Sequence, residues 1–376
     1  MLKVLHFYKT YYPDSFGGIE QVIFQLSEGG VAHGIQSDVL SLSPRGHIQN
    51  QRLGSHMTHC EAVTFELGST PFSFAAIRRF KELAKHADVI HYHFPFPFMD
   101  MVHFISGTKK PTVVSYHSDI VKQKTLLKFY TPLMDFFLSR VDHIVAASPN
   151  YVSTSPTLQK HIDKVSVIPY GLDKNSYPSV SQESLNAWRA RIGAPFFLFI
   201  GAFRYYKGLH ILIEAAMGAP YPIVIVGAGP IEDELKQQAK RLGLTNIHFL
   251  GAVPDVDKVA LLMLCYGIVF PSHLRSEAFG ISLLEGAMME KPLISSEIGT
   301  GTTFINIHNE TGLVVPPSDA SALRAAMDTL WNAPELAGQF GKNASARFEK
   351  MFTSEQMVEK YAEIYKGLLT GSPSLA

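Results

Sequence analysis

Phe270-Pro271-Ser272-His273-Leu274-Arg275-Ser276-Glu277-Ala278-Phe279-Gly280, continuing into Ile281-Ser282-Leu283-Leu284-Glu285, decides how this chain is read. An apolar, β-rich run ends at Phe270, a polar turn follows, and a helical apolar pattern starts after Gly280. Glu277 and Glu285 stand eight residues apart across that transition. With a helix starting near Gly280, that spacing corresponds to a rise of about 12 Å and slightly more than two turns. It is too long for two acids flanking one bond, which lie about 5 to 9.5 Å apart. It suits an extended ligand with a hydroxyl-rich group at each end and an anion between them, because the N–H groups of a helix start receive anions. Solvated acids at a helix start would also satisfy the dipole. Against that stands Glu285, whose neighbours Leu283, Leu284, Ala287 and Met288 keep it from open water, and a buried acid needs a partner.

Similar apolar runs recur outward from this stretch. One series occupies residues 196–200, 223–226, 247–250, 268–270, 293–295 and 313–315, with helices beginning near Lys207, Ile231, Asp255 and Gly280. Another occupies residues 4–7, 37–42, 89–92, 112–115, 143–147 and 165–168, and a polar, irregular stretch over 173–194 separates the two. Residues 353–369 read as a last helix, and the tail at 371–374 as frayed. Alternation of this kind predicts βαβ units and mainly parallel sheets. At 376 residues the chain exceeds the size at which one core keeps growing. The expectation is an α/β protein of two doubly wound, Rossmann-like domains, residues 1–175 and 190–352, facing a central cleft.

Hydrophobic residues make up 46% and the formal net charge is zero, which favours an ordered globular protein and excludes a strongly electrostatic nucleic-acid binder. Cys60 and Cys265 fall in different predicted domains, against a disulfide framework or a cysteine-rich zinc site and in favour of a cytoplasmic protein. The apolar run at the N-terminus is too short for a signal peptide, and no segment approaches 18 uninterrupted apolar residues. Residues 72–86 and 122–140 interleave bulky apolar groups with Lys and Arg. Such helices either lie on an anionic bilayer or cover a sheet with their apolar face.

In open α/β sheets ligands bind beyond the carboxyl ends of the strands, and the other candidates sit at such ends. Gly17-Gly18-Ile19-Glu20 follows the first strand and opens a helix, so the backbone can approach an anion closely; a plain tight turn uses glycine too. In Gly201-Ala202-Phe203-Arg204-Tyr205-Tyr206-Lys207-Gly208, Arg204 can neutralise a diphosphate as a bidentate fork and Lys207 as a point charge. Without an anion, cations at a helix start are unfavourable. His117, in Tyr116-His117-Ser118-Asp119, ends a strand and faces the inferred cleft, where imidazole can donate to or accept from a sugar hydroxyl; lone histidines are also commonly structural. His91-Tyr92-His93, near Asp100 and His103, projects two imidazoles to one face of a strand. No cysteine or acid there has metal-ligand spacing, so no metal is expected, and Phe94-Pro95-Phe96-Pro97-Phe98 reads as an apolar loop on the cleft or acceptor side.

Together these motifs resemble the retaining, GT-B-fold glycosyltransferases of family 4. The resemblance covers nearly the whole chain: the Gly-Gly helix with His33-Gly34 at its end, Asp88-Val89-Ile90-His91, Ile168-Pro169-Tyr170-Gly171-Leu172-Asp173, Lys207-Gly208, the Glu277 and Glu285 pair with Phe279-Gly280, and Glu310-Thr311-Gly312-Leu313-Val314. It implies that Glu277 contacts hydroxyls of a donor hexose and that the N–H groups of Ala278, Phe279 and Gly280 approach sugar or phosphate. It further implies that Glu285 holds the ribose, and that Arg204 and Lys207 stabilise the departing nucleoside diphosphate with Gly17 and Gly18 closing from the first domain. His117 is implied near the hexose and reaction centre, and a terminal helix, about 353–370, packs back on the first domain.

No cofactor or metal is implied beyond the nucleotide-sugar co-substrate. The family's usual arginine directly follows the strand-end glycine, where this chain has Ala202; Arg204 would reach the same side along an extended backbone. Ala278 replaces a commoner glycine. The segments His91–Pro97, Arg204–Gly208 and Arg275–Gly280 are similar to bacterial enzymes that assemble O-antigen and other surface polysaccharides, especially mannosyltransferases. The implied donor is GDP-mannose, with a UDP-hexose second, and the implied acceptor is a glycan on polyprenyl diphosphate, met by peripheral contact with an anionic membrane at the inner face of the cytoplasmic membrane. A sugar-nucleotide epimerase and a non-catalytic nucleotide-sugar sensor are the competing functions, because a fold does not fix chemistry.

Overall fold

Unbroken apolar runs become strands covered on both faces, as parallel sheets flanked by helices require. The computed structural model describes residues 1–15, 17–46, 49–68, 70–120, 124–193 and 195–371, with 124–129 described by backbone alone. The first unit comprises Met1–Gly171 and the segment from Ser354 onward. Its strands are β1 (Leu2–Phe7), β2 (Ile35–Ser43), β3 (Gln49–Leu53), β4 (His56–Ala62), β5 (Phe65–Leu67), β6 (Thr70–Phe72), β7 (Val89–Phe94), β8 (Thr112–Tyr116), β9 (His143–Ala146) and β10 (Val165–Val167). Eight of them form one sheet in the order β10-β9-β8-β7-β1-β2-β4-β3, parallel except where β3 meets β4. The helix Ser354–Thr370 packs against the helix Gly18–Gly29 of the same unit.

The second unit, Leu172–Thr353, carries β11 (Phe197–Ile200), β12 (Ile223–Val226), β13 (Ile247–Gly251), β14 (Gly267–Phe270), β15 (Leu293–Ser296) and β16 (Gly312–Val315). They form one parallel sheet in the order β13-β12-β11-β14-β15-β16. In each unit the chain builds outward from a central strand in one direction and then returns to build in the other. That reversal puts topological switch points between β1 and β7 and between β11 and β14.

Three sequence expectations are corrected here. Within the stretch expected to be irregular lies a helix, Gln182–Ile192, capped by Ser181 and burying Leu185, Trp188 and Ile192; only three apolar positions define its inner face, too few to reveal a period. The strands β3 to β6 were not expected, and polar β3 (Gln49-Asn50-Gln51-Arg52-Leu53) is stabilised by pairing with β4 rather than by its own pattern. Phe94-Pro95-Phe96-Pro97-Phe98 is packed core rather than an apolar loop: β7 runs through Phe94, the helix Pro97–Ser106 begins at once, and all three rings are buried. Phe94 stacks on Tyr116 at 4.7 Å, and Phe96 meets Phe7 edge-on at 5.6 Å. Lys122, Gln123 and the tail after Gly371 lie outside the described residues. Among the described residues no helix is long and apolar enough to cross a membrane.

Candidate active site

Because β11 and β14 are neighbours, the loops leaving their carboxyl ends run side by side at the switch point. Gly208 lets them touch: its φ is +70°, and a Cβ there would come within 2.0 Å of the Pro271 carbonyl oxygen. Across this contact the Lys207 ammonium pairs with Oε2 of Glu277, which also accepts from the Ser272 hydroxyl at 3.3 Å. Lys207 also lies over the Phe270 ring at 4.8 Å. Only 13% of the Lys207 side chain and 11% of the Glu277 side chain are exposed. Burial by itself would lower the Lys207 ammonium, but the Glu277 carboxylate, with Tyr206, outweighs it and holds the group above the ordinary lysine value. The site therefore keeps a charged lysine in a sheltered place, already paired with the acid expected to grip a sugar.

Arg204 is exposed and, among the described residues, has no acid partner. The backbone before it is not extended: the Arg204 N–H bonds the Ala202 carbonyl at 2.9 Å, a turn that sends the Phe203 ring into the core. The extended path that would align Arg204 with position 202 is absent. Glu277-Ala278-Phe279-Gly280 is a turn pinned by the Gly301 N–H on the Ala278 carbonyl at 2.8 Å and by the buried Phe279 ring. Gly280, at φ +109°, precedes the helix Ile281–Met288, whose first turn has no side-chain cap. Glu285 lies within that helix and is buried. Its Oε1 accepts from the Tyr177 hydroxyl at 3.0 Å and from the Lys258 ammonium at 3.1 Å. Burial would lower Lys258, and Glu285 with Asp255 raises it instead. The sequence reading missed both partners, because Asp255-Val256-Asp257-Lys258 reads as a surface i,i+3 pair, which Lys258 and Asp255 also make at 3.3 Å.

In the first unit, Gly17 precedes the helix Gly18–Gly29 as expected, and an acid fills the space beside it. A Cβ on Gly17 would lie 2.5 Å from Oε2 of Glu20. Oε1 of Glu20 accepts from Thr10 Oγ1 at 2.9 Å and from Ser15 Oγ at 2.5 Å. That buried carboxylate occupies the space a side chain at Gly17 would need.

His117 follows β8 and is buried, its N–H on the Phe94 carbonyl at 2.9 Å. Both ring nitrogens are engaged: Nε2 faces Nδ1 of His93 at 3.0 Å, and Nδ1 faces the Tyr170 hydroxyl at 2.5 Å. Nε2 of His93 faces Nδ1 of His6 at 3.1 Å, and Nε2 of His6 faces the Ser37 hydroxyl at 3.4 Å. His91 stacks on His93 at 4.3 Å and is held by Ser115 at 2.8 Å and by Tyr365 of the terminal helix at 2.7 Å. Ligand-type nitrogens of His6, His91 and His93 all lie within 4.8 Å of one another. All six are spent on hydroxyls or other imidazoles, the arrangement of a hydrogen-bonded chain. Burial lowers His6 and His117 to about 3 and His91 and His93 well below the usual histidine range, so the four rings are neutral. His6 escaped sequence reading because its register opposite His91 exists only once β1 pairs with β7.

Residues 16–176 match the family "Glycosyltransferase Family 4", and residues 181–347 match "Glycosyl transferases group 1". The D-rhamnosyltransferase WbpZ of Pseudomonas aeruginosa is 58% identical over 94% of this chain and 93% of its own length. The O-antigen chain mannosyltransferase C of Escherichia coli is 53% identical over 98% of this chain and 99% of its own. Anabaena HepE, solved in complex with UDP-glucose, superposes with a TM-score of 0.76 at 19% identity, over 98% of this chain and 100% of that one. Two switch-point sheets, both halves matched and relatives above one-half identity lead to one conclusion: the chain belongs to the GT-B glycosyltransferases that join a family 4 domain to a group 1 domain.

Proposed function

We propose that this enzyme moves a hexose, mannose from GDP-mannose, onto a lipid-linked glycan of an O-antigen-type surface polysaccharide, with retention at the anomeric carbon. The observation that carries the reading is the sheltered pair of Lys207 and Glu277 at the switch point of the second unit, beside an Arg204 without an acid partner among the described residues. An incoming diphosphate competes with Glu277 for Lys207 and recruits Arg204. Glu277 is thereby released toward hexose hydroxyls, while Glu285, braced by Tyr177 and Lys258, is offered to the ribose.

The bond from the anomeric carbon to phosphate breaks with its electron pair on the diphosphate. The acceptor oxygen bonds that carbon on the same face, and its proton passes to the departing phosphate oxygen. Each preorganised cation or amide on the developing charge is worth several kcal/mol, about 3 on mutational evidence, so this mechanism calls on no metal. In the first unit Gly17 and Gly18 are assigned to an anion of the donor and His117 to a hexose hydroxyl; in the second, Ala278, Phe279 and Gly280 are assigned to present backbone to sugar and phosphate. Support for mannose comes from the Escherichia coli relative, and support for an O-antigen product from its name. The Pseudomonas relative raises D-rhamnose as the second sugar. That sugar is mannose without the hydroxyl on C6, and a site built to bond a hydroxyl rejects the deoxy analogue strongly. HepE makes UDP-glucose the representative of the alternative UDP-hexose donors.

A thermal-shift panel of GDP-mannose, GDP-D-rhamnose, UDP-hexoses and ADP-sugars tests the donor, because a ligand bound only by the folded state raises its melting temperature. The largest rise is expected with GDP-mannose. A rise confined to UDP-hexoses would replace the donor, and no rise with any nucleotide sugar would overturn the reading. Conversion of the donor without added acceptor would point to an epimerase instead.

The acceptor is proposed to arrive on polyprenyl diphosphate at an anionic membrane. The antiparallel β5–β6 hairpin exposes Phe65 and Leu67 beside exposed Phe74, the first residue of the helix Phe74–His86, whose solvent face also presents Arg78, Lys81 and Lys85. Apolar groups ringed by cations suit an anionic interface.

A further inference from the structure

The buried chain Ser37–His6–His93–His117–Tyr170 has a direction as well as a geometry. Each neutral imidazole carries one proton, so it donates from one nitrogen and accepts at the other. Three imidazoles in series must therefore all be oriented alike. Either every link donates toward Ser37 or every link donates toward Tyr170. The two end groups choose: a phenol gives up its proton near pH 10 and an aliphatic hydroxyl is far less acidic, so the tyrosine is the better donor and the serine the better acceptor. Burial holds Tyr170 well above its ordinary value, so it keeps its proton to donate. The order that follows is Tyr170 O–H to Nδ1 of His117, Nε2–H of His117 to Nδ1 of His93, Nε2–H of His93 to Nδ1 of His6, and Nε2–H of His6 to the Ser37 oxygen.

We propose that His93 is a positioning residue that fixes His117 as the Nε2–H tautomer, leaving Nδ1 as an acceptor, so that a substrate hydroxyl meeting His117 takes the place of Tyr170 and donates to it. This rests on the assignment of His117 to the hexose made above. The alternative, a polar core with no bearing on catalysis, requires only that every group be satisfied, and it is indifferent to which nitrogen holds each proton.

Two substitutions of similar size and polarity separate these. His93→Asn places an amide group where Nδ1 faces His117 and abandons His6, whereas His93→Gln places one where Nε2 faces His6 and leaves a methylene toward His117. Nitrogen-15 NMR of the histidine side chains reports each tautomer without any substrate. The native protein and His93→Asn are expected to show His117 protonated on Nε2 alone, and His93→Gln a mixture. Transfer assays are expected to show kcat lowered about tenfold in His93→Gln, the worth of one hydrogen bond, with the donor KM little changed and most of kcat kept in His93→Asn. Native His117 protonated on Nδ1 overturns the proposal even where neither variant folds, and so do equal kinetic losses in the two variants. The predicted tautomer change in His93→Gln with undiminished turnover upholds the positioning and instead removes His117 from the reaction.

Discussion

Lys207 and Glu277 are each the neutralising partner of the other, and this changes what their removal does. Deleting one leaves a nearly buried charge unpaired, so Lys207→Met is expected to lower stability on the order of 2 kcal/mol as well as turnover by about 100-fold. The double variant Lys207→Met with Glu277→Gln removes both charges and is expected to regain more than half of that stability in urea unfolding while turnover stays low. Additive stability losses would show that the two groups do not depend on each other. Arg204 makes the contrast: exposed and without an acid partner among the described residues, it can become alanine with a stability change within about 0.5 kcal/mol. Its donor-dependent rate is nevertheless expected to fall at least about tenfold, and an unchanged rate would remove Arg204 from the partners of the diphosphate. The residue types of this site were legible in sequence. Their pairings were not, since nothing near Lys258 in the chain announces Glu285.

At the level of the element, the loops after β11 and β14 behave as one object because Gly208 lets their backbones touch. Gly208→Ala combines a left-handed φ with a collision at the Pro271 carbonyl, and is expected to cost roughly 3 kcal/mol in urea unfolding and to abolish the donor-induced thermal shift. A fully active, stable variant would mean that the loops need not meet to make the site. The surface helix Phe74–His86 separates its cations by task. Arg79 bonds Asn50 at 2.8 Å, His59 at 2.9 Å and Glu82 at 3.2 Å, so it holds the helix to the sheet and is unsuitable for probing a membrane. Reversing Arg78, Lys81 and Lys85, or replacing Phe65 and Leu67 with serine, is expected to abolish sedimentation with anionic liposomes at unchanged melting temperature. Binding that survives both changes would remove this face from the membrane. Periodicity found this helix and the strand β7 that follows it, because an apolar stripe is a local property. It missed the helix Gln182–Ile192, whose polar composition carries too little of that signal.

For the whole molecule, the four neutral histidines of the buried cluster tie stability to pH, joined by His56, His143 and His273, which burial also lowers. Unfolded, each binds a proton near 6.5; folded, His6 and His117 resist protonation down to about 3, and His91 and His93 are held well below the usual range. Above pH 6.5 both states are neutral and stability is unaffected. Below it the unfolded chain takes up protons that the fold refuses, so stability falls by about 1.4 kcal/mol per pH unit for each ring as pH drops toward 3. Urea unfolding at pH 7, 6 and 5 is expected to show that decline before carboxylates contribute, and a flat profile would mean the rings are charged in the fold. The amino-acid sequence alone determined the two parallel α/β halves, the strand-to-helix turn at Gly280 and the two glutamates that follow the strand Gly267–Phe270, because apolar period and turn chemistry act between near neighbours. Only the tertiary structure decided that Lys207 answers Glu277, that Lys258 and Tyr177 answer Glu285, and that His6 and His93 stand behind His117. Those partners are chosen by strand order and register, which bring together residues distant in the chain, and a charge or a proton is settled by what lies across the fold rather than by what precedes it.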